Sequence, residues 1–229
     1  MFPFPFSFIG AGEAPPPPEL ELIDNNFAME FNGLDEYISA GNPTELQITG
    51  ALTVSAWFKI LNSSSDSVIV CRDNGNAERN WFIRVNNLGQ VSGYIRKSDD
   101  SGWGGTTISS GSYDDDNWHH VAMVYTPSTS LVLYVDGTPV DTDTTSITSS
   151  INNDVADLTI GMWSRNPTTP WPTNWWDGDI DEVAIWSRAL ELEDVQTIYN
   201  ATNDNPGKCA NLWSGGLGTG LVYWNRMGD

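Results

Sequence analysis

The stretch "WHHVAMVYTPSTSLVLYVDGTPV" (118–140) limits what this chain can fold into more than any other. Two apolar runs flank a Thr126-Pro127-Ser128 turn, and the second run ends on Asp136-Gly137, residue types that tolerate tight turns. Such a segment predicts a β-hairpin. Upstream, "ALTVSAWFKI" (51–60) puts Leu52, Val54, Ala56 and Phe58 on one face and Thr53, Ser55 and Trp57 on the other. "SVIVCRD" (67–73) is short and continuously apolar, and "WFIRVNNLGQVSGYIRKS" (81–98) reads as two strands joined through Asn86-Asn87-Leu88-Gly89. "FAMEFNGLDEYISAG" (27–41) alternates around an Asn-Gly turn signal, while "DLTIGMW" (157–163) and "GDIDEVAIWSRAL" (178–190) supply two more strands.

One helix interrupts the series. In "LEDVQTIYNA" (192–201), Leu192, Val195 and Tyr199 recur at helical spacing, and Glu193 and Asp194 occupy the first turn, where the helix dipole favours them. Many short strands with one late helix predict an all-β, two-sheet antiparallel jelly-roll sandwich. The expected organisation is an extended arm over 1–22, a sandwich domain over 23–202, and a C-terminal tail over 203–229 ending in one further strand-like segment. A chain that is 39% apolar with 11 Trp has material for such a core.

The formal charge of −20, with only 10 Lys and Arg, excludes a nucleic-acid partner, since phosphate binding needs clustered cations. It also disfavours anionic membranes. It suits solubility and carboxylate-rich loops of the kind that hold Ca²⁺. No apolar run is long enough to span a bilayer. The N-terminus, "MFPFPFSFIGAGEAPPPP", lacks the basic start and helical apolar stretch of a signal peptide, so Sec export is not expected. In an extended chain Phe2, Phe4, Phe6 and Phe8 fall on one side. Pro15 to Pro18 then make a polyproline spacer of roughly 12 Å. Such an arm predicts docking into a groove or onto a sheet edge of a partner, because Pro3 and Pro5 cannot donate to a ladder. Cys71 and Cys209 fit either a disulfide or two thiols.

Catalytic groups are sparse. A retaining polysaccharide-cleaving enzyme needs paired carboxylates about 5 Å apart, typically as Glu-x-Asp-x-x-Glu or Glu-x-Asp-x-Glu, and Asp179-Ile180-Asp181-Glu182 lacks the first Glu and the spacing. His119 and His120, the only histidines, point to opposite faces of a strand and cannot form one site. No enzyme activity is therefore expected. Asp114-Asp115-Asp116 reads as an acidic turn. The loop "WSRNPTTPWPTNWWDG" (163–178) presents Trp171 and Trp175 in a Pro/Asn/Thr setting, and Trp103 lies in another such setting, "DDSGWGGTT". These three are candidate contacts for a glycan or a protein partner, whereas Trp176 is expected in the core.

Three stretches carry a family likeness. "NWHHVAMVYTPSTSLVLYVDGTPV", "WDGDIDEVAIWSRAL" and "MEFNGLDEYISAG" resemble, in order and spacing, the central hairpin, late strand and early strand of laminin-G-like domains, over roughly 27–201. The resemblance implies a concanavalin A-like sandwich, a fold that serves lectins, hydrolases, adhesion modules and virion proteins alike. It further implies a structural Ca²⁺ held by the Asp181 carboxylate and the Gly33 carbonyl, with Asp35 nearby. The ending "LVYWNRMGD" is similar to the close of such domains in structural proteins of marine tailed phages. Two functions follow as expectations. One is a non-enzymatic virion protein, a capsid decoration or fibre component, docked on other virion proteins through residues 1–19 within a larger or homo-oligomeric assembly. The other is a Ca²⁺-dependent, glycan-binding lectin or cell-surface module.

Overall fold

The computed structural model describes residues 18–61, 63, 65–74, 78–163 and 175–229. The chain begins with β1 (Leu22–Asp24), β2 (Met29–Asn32) and β3 (Ile38–Gly41), then β4 (Leu52–Ile60) and β5 (Ser67–Asp73). Two hairpins follow: β6 (Arg79–Val85) with β7 (Val91–Arg96), and, after β8 (Trp103–Ile108), β9 (His119–Thr126) with β10 (Ser130–Val135). The remainder is β11 (Thr138–Asp143), β12 (Leu158–Ile160), β13 (Asp177–Trp186), α1 (Leu192–Asn203), β14 (Lys208–Ala210) and β15 (Leu221–Asn225).

Alternating side chains drive the strands into two layers. One sheet runs β11-β10-β9-β4-β13, and β13 shares its far edge between β2 and β15. The other runs β3-β12-β5-β6-β7-β8, and every pairing is antiparallel. The core between them takes the apolar face read from "ALTVSAWFKI", with Val54 and Phe58 meeting Ile69, Ile83 and Met123. Each such side chain contributes about 1.5–3 kcal/mol on burial. Trp176 lies wholly inside, edge-on to Phe58.

The outer face of the seven-stranded sheet is covered in turn. Val195 and Ile198 of α1 pack on Ala122, Val124, Ala184 and Trp186. The helix starts at a capping box in which Glu191 and Asp194 satisfy each other's backbone amides. Trp186 donates its indole N–H to the Leu217 carbonyl at 2.7 Å.

The strands on either side of Asn32-Gly33 part company, β2 joining one sheet and β3 the other. Residues 203–229 are not a tail apart from the sandwich. β14 pairs with β1, β15 completes the edge of β13, and Met227 reaches the main core. That edge exists because β13 bulges between Asp181 and Ala184, with Glu182 at φ 50°, so the strand hands its partner over from β2 to β15. Trp103 is also not a loop residue but begins strand β8. The Phe2, Phe4, Phe6 and Phe8 arm and Trp171 lie outside the described residues.

Close approach fixes β13 further. At Gly178 (φ 140°) a Cβ would sit 2.3 Å from the Lys59 carbonyl oxygen. Loops are tied by the buried Arg72, which donates to the carbonyls of Leu46, Ala156 and Asp154 and to Asn42 Oδ1. Burial lowers its pKa to about 10.

Candidate functional site

The outer face of the six-stranded sheet gathers aromatic and basic side chains. On β6 the core takes Trp81, Ile83 and Val85, so Phe82 and Arg84 point the other way. On β7 it takes Val91 and Ile95, leaving Ser92, Tyr94 and Arg96 on that same outer face. Register aligns them: Cys71, Phe82, Tyr94 and Thr106 are successive cross-strand partners, and Arg96 opposes Trp103.

Phe82, 3% exposed, is the floor. Its ring stacks on Tyr94 with centroids 4.5 Å apart, and Trp103 and Trp163 meet it edge-on at 5.4 and 4.4 Å. Tyr94, Trp103 and Trp163 remain half-buried, so each presents part of a ring to solvent. Guanidinium groups lie over the rings: Arg84 at 5.3 Å from Tyr94, Arg96 at 5.2 Å and Arg79 at 5.7 Å from Trp103. Contacts of this type add about 0.5–1 kcal/mol each when exposed. Arg84 is further oriented by Asp66, and Arg96 by Asp100 at 2.6 Å. Three of the chain's 10 basic residues thus converge on one face of a protein with 30 acidic ones. Partly exposed rings can contact the C–H face of a sugar, and fixed guanidinium donors can bond its hydroxyls or a carboxylate.

The residues singled out in the sequence are dispersed. Trp103 belongs to this face. Trp175 packs instead on Tyr37, ring centres 6.0 Å apart. Gly33 sits against Asp177, and Asp35 accepts a hydrogen bond from Asn32 at 2.9 Å. Asp181 lies four residues further along β13 than Asp177, roughly 13 Å at strand rise. Its carboxylate accepts from Asn25 Nδ2 at 3.0 Å and from the Glu182 amide at 2.8 Å, while Arg188 pairs with Asp194. The structure therefore does not bring Gly33, Asp35 and Asp181 together. Among the described residues no group of three or more His, Cys, Asp or Glu side chains is placed to hold a metal ion.

Burial pushes the Asp181 carboxyl up to about 7, Asn25 opposing the shift and Glu182 adding to it. Burial also raises Glu182, against hydrogen bonds from Trp224 at 2.6 Å and Arg226 at 3.3 Å. The two histidines do face opposite ways. His120 is fully buried under Trp57 and Tyr199, bonds Ser55 at 2.8 Å, and is held neutral by burial with a pKa of about 4. At His119 burial favours the neutral ring, but Asp136 at 2.8 Å and Asp115 at 3.2 Å outweigh it and raise the pKa. Asp114, Asp115 and Asp116 are spent on Ser63, Asn117, His119 and Lys59 rather than on one ion. Cys71 and Cys209 are both buried, with no disulfide between them.

Phe82, Tyr94, Trp163, Arg79, Arg84 and Arg96 were not legible as a site. The available signal was aromatic and Arg residues on the non-core positions of "WFIRV" and "VSGYIR", unusual occupants for the exposed side of a strand in an acidic chain.

Two antiparallel sheets packed in this order define a concanavalin A-like sandwich domain. The chain belongs to the Laminin_G_3 family of the concanavalin A-like lectin/glucanases superfamily, whose model matches residues 32–196. No curated protein matches it. Among solved structures it is similar to a candidate carbohydrate-binding protein of Bacteroides ovatus, at 16% identity and a TM-score of 0.66, covering 90% of this chain and 53% of that one. It is also similar to the ligand-binding domain of botulinum neurotoxin serotype D, solved with N-acetylneuraminic acid, at 15% identity and a TM-score of 0.58, covering 80% of this chain and 46% of that one. A third is the CBM40 of a Ruminococcus gnavus IT-sialidase bound to α2,3-sialyllactose, at 13% identity and a TM-score of 0.53, covering 76% of this chain and 97% of that one. This chain thus spans about half the length of the first of these relatives. At these identities the likeness is one of fold.

Proposed function

We propose that this chain is a non-enzymatic carbohydrate-binding domain that takes a sugar on the outer face of its six-stranded sheet. The observation that carries the reading is the Phe82 cluster, in which Tyr94, Trp103 and Trp163 keep partly open rings beneath three arginines. The rings stack on the sugar, and the guanidinium groups favour a carboxylated sugar over its neutral counterpart. The two neighbours whose bound ligands are sialic acid or a sialylated sugar support that preference by fold analogy. Asp66 and Asp100, the carboxylates paired with Arg84 and Arg96, are occupied in orienting them, which supports binding rather than bond cleavage. An extracellular or cell-surface setting agrees with this function, and no helix among the described residues is long and apolar enough to cross a membrane.

Glycan-array screening followed by calorimetry tests it. A glycan whose affinity drops tenfold or more in Trp103→Ala, about 1.4 kcal/mol, is the expected result. Binding that ignores both Trp103→Ala and Tyr94→Ala would sink it.

The virion reading rests on the arm and on the resemblance of the last residues. Those last residues have work within the sandwich: Arg226 pairs with Glu182, and Asp229 accepts from the amides of Asn26 and Phe27 at 2.7 and 3.2 Å. The glycan reading is the better supported. Deleting residues 1–17 separates them, since glycan binding should persist and only particle incorporation should fail.

A further inference from the structure

The opposite sheet carries a second, unassigned concavity. A cavity of about 410 Å³ opens on the outer face of the seven-stranded sheet, between the sheet, the end of α1 and the segment entering β2. Ligand pockets begin at roughly 300 Å³. Its lining includes Asn25, Phe27, Trp57, Trp118, Asp181 and Thr202. Register makes the floor, because Asp181 and Trp57 are cross-strand partners at the β13 bulge. Phe27 and Trp118 are 62% and 40% exposed, although both are large and apolar.

Two polar atoms of this cavity are without a partner among the described residues. Asn25 Oδ1 is buried with no hydrogen-bond partner, and so is the Thr202 hydroxyl. Asp181 is 5% exposed and touches only neutral donors, Asn25 and the Glu182 amide. The C-terminal end of α1 lies in the wall, where the helix dipole places about half a negative charge, and its last turn holds no basic residue. The one ammonium in the lining, Lys208, is paired with Asp24. Arg226, beside the adjacent Glu182, is taken by Glu182 and Asp229. The cavity thus combines aromatic rings, a carboxylate without a cationic partner and orphan acceptors.

We propose that this cavity binds a choline-sized organic ammonium group, seated against Trp57 and Trp118 and paired with Asp181. Desolvated cation–ring contacts are worth about 2 kcal/mol, and rings joined with a carboxylate are the chemistry that recognises such cations. The ion pair also removes a penalty, since Asp181 is otherwise an isolated buried acid. The site is independent of the glycan face and stands whether or not that reading holds.

The test is calorimetric or NMR titration of the full chain with choline, and with 3,3-dimethylbutanol, which has the same shape and no charge. Choline is expected to bind at least tenfold more tightly than the neutral analogue. Asp181→Asn and, at the exposed rim, Trp118→Ala should each weaken it tenfold or more, and Trp103→Ala should leave it unchanged. Choline keeps its charge at all pH values, so its affinity should rise as pH climbs through about 7, where Asp181 ionises. Glu182 and Asp229 are the other carboxylates facing Asp181, and both add to the negative potential. Equal binding of the neutral analogue, no effect of either cavity substitution, or no binding of choline at about 10 mM overturns the proposal.

Discussion

Trp163 meets Phe82 edge-on with ring centres 4.4 Å apart, and Phe82 in turn stacks on Tyr94 at 4.5 Å. One nearly inaccessible ring therefore positions the partly open ones. A sugar-binding platform needs that division, because a ring free to swing loses its orientation entropy on every binding event.

Phe82→Ala and Trp103→Ala should accordingly separate stability from binding. The first removes a 3% exposed ring and should destabilise by about 3–5 kcal/mol in chemical denaturation. The second removes a half-buried ring and should cost less than about 2 kcal/mol while weakening the glycan tenfold or more. Equal losses of stability would mean that the two rings share one structural role.

Asp181 predicts a pH-dependent gain of stability. Its folded pKa lies near 7, above the usual 3.8, so the folded chain binds more protons between those values. Stability from this group is full below about pH 4 and is lost as pH rises toward 7. Asp181→Asn should therefore melt higher than the parent at about pH 8, by roughly 3–8 °C, with the difference shrinking at about pH 4. A thermal scan with no gap at the higher pH would contradict the buried, unpaired carboxylate.

The two histidines should titrate apart. NMR of the ring protons is expected to show His119 losing its proton above 6.5, held by Asp136 and Asp115 against burial, and His120 neutral down to about 4. The sign for stability is opposite in the two cases. His119 contributes below 6.5 and loses that contribution as pH rises through its folded pKa, whereas His120 penalises folding as pH falls from 6.5 toward 4. Two overlapping titrations would refute these environments.

Arg72→Ala should be severe. It strands the carbonyls of Leu46, Ala156 and Asp154 in the interior, and each buried acceptor left without a donor costs about 1–3 kcal/mol. Circular dichroism through a urea titration measures it, and a change under about 1 kcal/mol would show that water replaces the guanidinium.

Chelation should leave glycan binding intact. Gly33, Asp35 and Asp181 do not converge, and the proposed face uses rings and guanidinium groups. Binding abolished by EDTA and restored by Ca²⁺ would overturn that expectation.

Much of the sandwich was legible locally. Alternation in "ALTVSAWFKI" assigned the core face of β4 correctly, and the Pro127-Ser128 turn marked the β9–β10 hairpin. Trp103 misled because "SGWGG" has loop composition. Pairing with β7 holds it in a strand, and its neighbouring glycines leave room for Thr148 and Leu131. At 203–229 the strand-like ending coincides with β15, but its place beside β13 depends on the bulge at Glu182, and no pattern around 221–225 records an event at 182.

The sequence by itself determined the central strands β4 to β7, β9, β10 and β13, which of their faces are apolar, and the family those features belong to. Periodicity and turn chemistry are local, so they survive without knowledge of the fold. Only the tertiary structure decided what meets across strands and layers. Register set Phe82 beside Tyr94, and a bulge set Asp181 beside Trp57 and Asn25. Those contacts join residues 12 to 156 positions apart, and their geometry is fixed by sheet order and packing rather than by any neighbour in the chain.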